Sequence, residues 1–173
     1  MVSVGDKFPA GAEFVYVPYT PESADIKACG IPIGLNFDKE FAGKTVVIVS
    51  IPGSFTPTCT VNHIPPYIAN LPTLKAKGVD ALVVLSANDP FVQSAFGKAN
   101  GAADESVYFV CDPAASVSKS LGEGFTVDMP PAFGTRTARY ALVVKDGVVT
   151  YVAAEASPKD LVGSSYEAVE AAL

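Results

Sequence analysis

The sequence predicts an α/β fold in which helices cover both faces of a mixed central sheet. Between residues 45 and 121, buried strand patterns alternate with helical patterns, which is the order of units whose strands run parallel. Nearer the C-terminus, two strand patterns are joined through Asp146-Gly147, a dipeptide typical of a tight antiparallel hairpin. The 173 residues, 49% of them hydrophobic, are enough for one core, so a single domain over residues 1–173 is expected.

The first elements are a short strand, a long loop and a buried strand. Residues 14–17 form a short β-like run, and residues 18–34 form a loop with several Pro and Gly residues that carries Cys29. Residues 45–51 are almost continuously apolar and rich in β-branched side chains. Because this run is too short for a helix, it predicts a buried strand.

Helices and strands then alternate through the middle of the chain. A helical pattern spans residues 58–77, in which Pro65-Pro66 predicts a kink or a break. Residues 79–87 predict the next buried strand. Asn88-Asp89-Pro90 is a capped helix start, so a helix is expected over residues 91–100.

The remaining elements follow the same patterns. Strands are expected at residues 107–111, 140–144 and 148–152, and helices at residues 114–121 and 166–173, each after a capping Asp or Ser. This order of elements matches a thioredoxin-like fold. In that fold the reactive thiol lies where a strand is followed by a helix, which is where Cys59 lies.

Charge and composition limit the partners and the compartment. The net charge is −6, and an acidic surface repels phosphate groups, which argues against nucleic acid and anionic membranes as partners. No apolar run approaches the ~20 residues that cross a bilayer. The first nine residues show no basic stretch followed by an apolar one, so no secretory signal is expected. The cytoplasm is the expected compartment, with the peroxisome and the mitochondrion left open.

Three cysteines and one histidine restrict the metal and redox chemistry. The cysteines are too few for a disulfide framework in a chain without a secretory signal. With His63 as the single histidine and no Cys-x-x-Cys motif, neither a metal nor another cofactor is expected. Cys111 lies in an apolar strand pattern and is expected to be buried and structural.

Cys59 is placed where a helix start can activate a thiol. It ends the motif Pro52-Gly-Ser-Phe-Thr-Pro-Thr-Cys59, directly after a predicted buried strand. Backbone N–H groups and the positive end of the helix dipole favour a thiolate at such a position. Thr56, across a tight turn, is close enough for its hydroxyl to bond the sulfur or an incoming oxygen. His63, one helical turn after Cys59, is expected on the same face.

Ionisation alone does not make a thiol a fast nucleophile. A free thiol is a few per cent ionised at pH 7, so complete ionisation gains at most about 30-fold. Fast reaction therefore requires donors and a cation that stabilise the charge developing on the leaving atom. Of the two arginines, Arg139 stands directly before a predicted strand and is expected to reach the end of a neighbouring parallel strand. Arg136 lies in a loop with Gly and Thr and is expected to be solvated.

The motif Pro52-x-x-x-Thr56-x-x-Cys59, followed by His63-x-Pro65, resembles the active-site signature of the peroxiredoxins. Within them the chain is most similar to the single-domain alkyl hydroperoxide reductase branch common in fungi, a redoxin branch of the type-five kind. The resemblance implies that Cys59 is the peroxidatic cysteine. It also implies that Thr56 and Arg139 activate the thiolate and bind the peroxide, that Pro52 shields it, and that His63 frames the substrate pocket.

The resemblance also implies a reaction and its partners. The Cys59 thiolate attacks the O–O bond of hydrogen peroxide or an alkyl hydroperoxide and becomes a sulfenic acid. Cys29, in the upstream loop, then resolves this acid by forming a disulfide with Cys59 of the partner subunit, so a homodimer is expected. Thioredoxin is the expected reductant, with glutathione or glutaredoxin as the alternative, and the expected role is antioxidant defence.

Other interpretations stay open at the level of the sequence. Cys29 is an ordinary loop cysteine if the protein is a one-cysteine peroxidase reduced directly by glutathione or thioredoxin. His63 is either a hydrogen-bonded framework residue or an acid/base. From other functional classes, Cys59 and His63 could form the dyad of a cysteine hydrolase, or Cys59 could be the sensor of a redox-responsive scaffold. The hydrolase interpretation is weakened because no third group that would orient His63 is identifiable.

Overall fold

The structure is a computed structural model that describes residues 1–129 and 131–173. The strands are β1 (Glu13–Tyr16), β2 (Ile33–Asn36), β3 (Thr45–Ser50), β4 (Ala81–Ser86), β5 (Val107–Cys111), β6 (Thr126–Asp128), β7 (Thr135–Thr137), β8 (Tyr140–Lys145) and β9 (Val148–Ala154). The helices are α1 (Phe37–Glu40), α2 (Ile64–Ala69), α3 (Leu71–Ala76), α4 (Pro90–Ala99), α5 (Ser116–Leu121) and α6 (Tyr166–Ala171). A wide π turn (Cys59–His63) precedes α2, and 3₁₀ turns lie at Pro21–Ser23 and Pro113–Ala115. Within the described ranges, none of these helices combines the length and the apolar character of a membrane span.

The main sheet is mixed, as predicted. Its order is β2-β1-β5-β4-β3-β8-β9. The three central strands β3, β4 and β5 are parallel, and the pairs on either side of them are antiparallel. The β8–β9 hairpin turns at Asp146 and Gly147, whose φ angles of 48° and 74° suit the tight turn that the Asp-Gly pair predicts. The predicted α/β fold is confirmed.

Helices cover both faces of the sheet because successive strand residues point to opposite sides. Val46 and Ile48 of β3 pack on one side, in a cluster that includes side chains of α1 and α5. Val47 and Val49 pack on the other side, in a cluster that includes Cys59 and side chains of α2, α3, α4 and α6. The thiol therefore belongs to the more heavily covered face.

Most elements of three or four residues, namely β2, α1, β6 and β7, were not predicted, since they are too short to show a period. The predicted loop over residues 18–34 gives way to β2, which pairs with β1. The short helix α1 follows β2 directly, and the small β6–β7 ribbon lies before Arg139. Sequence patterns therefore predict the parallel core and the β8–β9 hairpin, but not these short elements.

The predicted helix over residues 58–77 is divided in two places. The first lies at His63, where the π turn changes to α2, and Pro65-Pro66 occupies the first turn of α2. Proline is tolerated there because the first-turn N–H groups of a helix need no helical partner. The second division, at Asn70, was not predicted, although Pro72 in the first turn of α3 is consistent with it.

The turn from β5 into α5 depends on Asp112. Ala114 and Ala115 have φ angles of 54° and 53°, in the left-handed region that few non-glycine residues adopt. The fully buried carboxylate of Asp112 accepts hydrogen bonds of 2.9 Å from the backbone N–H groups of Val117 and Ser118. The predicted helix start at residue 114 is therefore moved to Ser116, beyond the left-handed pair.

Ser118 connects this turn to β8. Its hydroxyl donates to Asp112 over 2.7 Å and lies 2.8 Å from the hydroxyl of Tyr140. Burial raises the pKa of Tyr140, so its hydroxyl stays protonated and donates to Ser118. The network holds the first residue of β8, and Arg139 is the residue before it.

We expect Asp112→Ala to lower the free energy of unfolding by about 2–4 kcal/mol, because buried N–H groups of α5 would lose their acceptor. Denaturant unfolding followed by circular dichroism measures the change. Glu123→Ala, at an exposed position after α5, is the control and should leave the midpoint nearly unchanged. Equal midpoints for both variants would contradict the role given to Asp112.

Candidate active site

Cys59 lies at the start of the π turn that follows β3. The backbone N–H of Ile64 donates to the Cys59 carbonyl five residues earlier, which makes this turn wider than an α-helical one. The Cys59 side chain is fully buried and packs in the core cluster of its face. His63, at the other end of the turn, is also buried. Both side chains contact Arg139, so the prediction that they lie on the same side is confirmed.

The loop between β3 and Cys59 is fixed by side chains of the next βα unit. The backbone N–H of Ser54 donates to Asn88 Oδ1 over 2.9 Å, and the Ser54 hydroxyl donates to Gln93 Oε1. Gln93 is fully buried, and its Nε2 donates to the carbonyls of Val84 in β4 and Val110 in β5. The active-site loop is thus tied to the centre of the sheet.

The Thr56 hydroxyl bonds a carbonyl of its own loop and not the Cys59 sulfur, one of the two partners expected for it. Its hydroxyl donates to the Gly53 carbonyl over 2.8 Å, and in the described residues it makes no hydrogen bond to the Cys59 sulfur. The Thr56 carbonyl accepts from the N–H and the hydroxyl of Thr60. Phe55, just before Thr56, has a φ of 60°, and its ring packs edge-to-face on Phe96. The hydroxyl oxygen of Thr56 keeps lone pairs with which it can accept a hydrogen bond.

Arg139 reaches the thiol because β8 is antiparallel to β3. Ser50, the last residue of β3, is opposite Tyr140, the first residue of β8. The predicted neighbour was a parallel strand, and this was wrong: the antiparallel pairing is what brings Arg139 to the end of β3. The Ser50 hydroxyl donates to the Ala138 carbonyl over 2.8 Å, which fixes the backbone just before Arg139.

Arg139 is only 2% exposed, and its guanidinium has four hydrogen bonds. Nη1 donates to the Cys59 sulfur over 3.4 Å and to His63 Nδ1 over 2.8 Å. Nε and Nη2 both donate to the Pro158 carbonyl, over 3.2 and 2.7 Å. Among the described residues Arg139 forms no ion pair with a carboxylate. The Cys59 sulfur is therefore the group that can balance this buried charge.

His63 is neutral and its tautomer is defined by its partners. Burial, with the adjacent charge of Arg139, lowers the pKa of His63 to about 4. Arginine only donates, so Nδ1 accepts, and the proton lies on Nε2, which donates to the Ser164 carbonyl over 2.8 Å. Because Arg139 takes the Nδ1 lone pair, His63 lacks the free acceptor that a cysteine hydrolase dyad requires.

A cavity of about 610 Å³ opens over the guanidinium. Arg139 and Thr56 lie on its wall, and Pro52 with other largely apolar side chains forms the rest. The other lining residues are Pro57, Thr58, Met129, Phe133, Ser157, Pro158 and Lys159. Pro52 is buried and has no N–H donor, so it adds an apolar surface to this wall.

Cys29 is exposed on the loop before β2, and its thiol is free. The ammonium of Lys98 donates to the carbonyls of Asp25 and Ala28, over 3.2 and 2.7 Å. On the other side of Cys29, Gly30 packs so closely on Val17 that a Cβ atom would lie 2.4 Å from a methyl carbon. The structure does not bring Cys29 to the buried Cys59, so a bond between these thiols requires motion.

Cys111 has the environment that the sequence predicts, whereas Arg136 lies in a strand and is half-buried, not in a solvated loop as predicted. Cys111 is buried in β5, and burial, with the nearby Asp112 and Asp89, raises its pKa to about 11. It therefore stays a thiol at neutral pH. Arg136 lies in β7 and is partly exposed, and its Nε donates to the Phe133 carbonyl over 2.8 Å. It contributes no charge to the Cys59 site.

Three residues of the site were not predicted. Gln93 is a polar side chain on the buried face of α4, three residues before the buried Phe96, and this position is a signal that could have been recognised. Pro158 and Ser164 act through their carbonyl groups. Every residue has a carbonyl, so the sequence carries no signal for them.

Comparisons with known proteins agree with this site. The model of the family described as Redoxin matches residues 3–170. A protein of Lipomyces kononenkoae described as a peroxisomal peroxiredoxin is 62% identical over 168 residues, covering 97% of this chain and 99% of that protein. Peroxiredoxin Pen c 3 of Penicillium citrinum is 46% identical over 164 residues, covering 92% of each.

The fold comparison agrees with the sequence comparison. The crystal structure of reduced Prx3 from Vibrio vulnificus in complex with hydrogen peroxide superposes with a TM-score of 0.84 at 37% identity, covering 99% of both chains. Oxidised Prx3 from the same organism gives 0.81 at 38% identity, covering 100% of both. The chain belongs to the redoxin family and is a peroxiredoxin, a thiol peroxidase of the fungal branch that its motif resembles.

Proposed function

We propose that Cys59 is the peroxidatic cysteine of this peroxidase, and that Arg139, Thr56, Pro52 and His63 form its peroxide site. The observation that carries the proposal is the buried guanidinium of Arg139, 3.4 Å from the Cys59 sulfur and without a carboxylate partner among the described residues. A buried charge is costly unless an opposite charge balances it. A Cys59 thiolate is that opposite charge.

The proposed reaction is a displacement at oxygen. The thiolate of Cys59 attacks the terminal oxygen of ROOH, an S–O bond forms, and the O–O bond breaks. The RO⁻ group leaves with the electron pair of the broken bond and takes a proton, so the products are the Cys59 sulfenic acid and ROH. The sulfur is oxidised by two electrons and the peroxide is reduced by two.

Each remaining residue has a role in this step. Four of the five N–H groups of Arg139 are used within the protein, which leaves one Nη2 hydrogen to stabilise the leaving oxygen from the cavity wall. The Thr56 oxygen accepts the O–H of the hydroperoxide, since its own hydrogen is donated to Gly53. Pro52 shields the site, and the neutral His63 frames it by orienting Arg139.

We propose that Cys29 is the resolving cysteine and that it pairs with Cys59 of the partner subunit in a homodimer. Its exposed position between two loop anchors supports a thiol that can leave its resting place. The step forms an S–S bond and releases water from the sulfenic acid. Thioredoxin is the proposed reductant of this disulfide, in preference to glutathione or glutaredoxin, and steady-state assays with each reductant distinguish them.

The domain and the compartment are also proposals. One sheet takes strands from both ends of the chain, β1 and β9, which supports a single domain over residues 1–173. The proposed compartment is the cytoplasm. The Lipomyces relative is described as peroxisomal, and this makes the peroxisome the alternative. Imaging of the full chain, labelled at the N-terminus in one version and at the C-terminus in the other, decides between the cytoplasm and the peroxisome.

We expect Cys59→Ser to abolish peroxide reduction, because at neutral pH a serine hydroxyl is not ionised and peroxide does not oxidise it. Coupled turnover with thioredoxin, thioredoxin reductase and hydrogen peroxide measures this. Cys111→Ala removes a thiol of raised pKa in β5 and is the matched control, with activity retained. Turnover that persists in Cys59→Ser would refute the assignment of the nucleophile.

Arg139→Ala is expected to slow the reaction of Cys59 with peroxide by about 100- to 1,000-fold, since it removes the cation and a donor to the leaving oxygen. Stopped-flow fluorescence or competition with a peroxidase of known rate measures the change. Arg136→Ala, at the other arginine of the chain, should react at the wild-type rate. If Arg136→Ala reacted with peroxide more slowly than Arg139→Ala, the cationic role would belong to Arg136.

For Cys29→Ser we expect a sulfenic acid at Cys59 to form normally and no disulfide-linked dimer to follow. Dimedone labelling detects the acid, and non-reducing gels of peroxide-treated protein detect the dimer. Cys111→Ala again serves as the control and should form the covalent dimer. A covalent dimer in Cys29→Ser would show that another thiol resolves the acid.

A further inference from the structure

A closed ring of hydrogen bonds begins and ends at Arg139. Its guanidinium donates to His63 Nδ1 over 2.8 Å, and His63 Nε2 donates to the Ser164 carbonyl over 2.8 Å. The N–H and the hydroxyl of Ser164 each donate to Glu155 Oε1 over 2.8 Å. The backbone N–H of Glu155 then donates to the Arg139 carbonyl over 2.9 Å, which closes the ring.

Glu155 is the group in this ring that holds the segment 162–164. Three donors converge on one oxygen of its carboxylate, since the Val162 N–H also donates to Oε1 over 2.8 Å. Burial by itself would raise the pKa of Glu155, but these hydrogen bonds outweigh it and lower the pKa. The carboxylate is therefore ionised at neutral pH and accepts from all three donors.

The Ser164 carbonyl determines which nitrogen of His63 carries the proton. Ser164 is fully buried, and its carbonyl also accepts from the Tyr67 hydroxyl over 2.8 Å, so the oxygen is held in place by two donors. A carbonyl only accepts, and it therefore requires a proton on His63 Nε2. The same proton position leaves Nδ1 free to accept from Arg139.

We propose that Glu155 is a positioning residue for the peroxide reaction, which keeps the Ser164 carbonyl against His63 so that the imidazole aims Arg139 at the Cys59 sulfur. The proposal rests on the roles proposed above for Cys59 and Arg139. Glu155 itself touches neither the sulfur nor the cavity. It acts only through the segment 162–164 and the imidazole.

Loss of the carboxylate has a defined consequence. The segment 162–164 loses three hydrogen bonds, and the Ser164 carbonyl is no longer fixed. The imidazole can then carry its proton on Nδ1, where it faces a donor of Arg139. Two donors repel each other, so the guanidinium turns away from the sulfur. The unused Nη2 hydrogen of Arg139 then no longer lies where charge develops on the leaving peroxide oxygen.

The tautomer of His63 is a direct readout, because it is the only histidine in the chain. Nitrogen-15 NMR of the imidazole of the reduced protein at pH 7 distinguishes a proton on Nε2 from one on Nδ1. We expect the Nε2–H form in the wild type and a mixture of both forms in Glu155→Ala. Glu155→Gln should keep the wild-type form, since its amide oxygen can accept from the same three donors.

The peroxide reaction of the same variants is measured by stopped flow. We expect Glu155→Ala to be slower by about 10-fold, as is typical when a group that orients a catalytic residue is lost, and Glu155→Gln to stay close to the wild type. Asp160→Asn is the control: it removes one negative charge from an exposed position in the same region, and both measurements should match the wild type. Ser164→Ala removes one donor and keeps the carboxylate, so it should shift both measurements less than Glu155→Ala.

Three results would overturn the proposal: a pure Nε2–H form in Glu155→Ala, mixed tautomers at the wild-type rate, or a Glu155→Gln variant as slow as Glu155→Ala. If Glu155→Ala does not fold, unchanged values in Ser164→Ala have the same meaning. Failure of the proposed function differs from all of these. In that case Cys59→Ser would keep its peroxidase activity, whatever the histidine NMR of the Glu155 variants shows.

Discussion

The buried positive charge of Arg139 is the constraint on which the site depends. Arg139 is 2% exposed, and its guanidinium donates to a carbonyl, a neutral imidazole and a sulfur, with no carboxylate partner among the described residues. Burying a cation away from water is unfavourable. An anion beside the cation offsets part of this free-energy cost. In the proposed reaction the guanidinium that donates to the Cys59 sulfur is also the donor offered to the oxygen that leaves. Electrostatic preorganisation of this kind supplies what ionisation of the thiol alone cannot.

Arg139 and Cys59 lie on elements of different regularity. Arg139 precedes β8, whose backbone is fixed by the Ser50 hydroxyl, the Tyr140 hydroxyl network and the pairing with β3 and β9. Cys59 begins a π turn, which is a less regular element than an α-helix. The peroxide step requires the sulfur to stay beside the guanidinium, whereas a disulfide requires a buried sulfur to become accessible. A cation anchored before β8 and a thiol on an irregular turn suit the proposed cycle, in which the thiol moves and the cation stays in place.

The sequence predicts those parts of the site that depend on the identity of side chains. Cys59 and His63 follow from a motif, and Arg139 follows from the scarcity of arginine in the chain. What the sequence does not predict is the pairing of distant strands: the hairpin signal locates β8 but gives no information that its other neighbour, β3, is antiparallel. Nor does it predict acceptors that are carbonyl groups, such as that of Pro158, since every residue offers one. The parallel core is predictable because its strands are apolar runs of sufficient length, whereas β2, β6 and β7 are not, because three or four residues have several interpretations.

The same constraint explains why the side chain that accepts a hydrogen bond from Arg139 is a histidine, His63. A carboxylate in the place of His63 would orient the guanidinium equally well, but it would also neutralise it, and the proposed Cys59 thiolate would no longer be the group that balances the buried charge. A neutral imidazole orients the guanidinium without neutralising its charge. Burial keeps it neutral, since the pKa of His63 is lowered to about 4, and the Ser164 carbonyl keeps its proton on the far nitrogen. The polar groups around the site thus hold the guanidinium in place while leaving its charge to the sulfur.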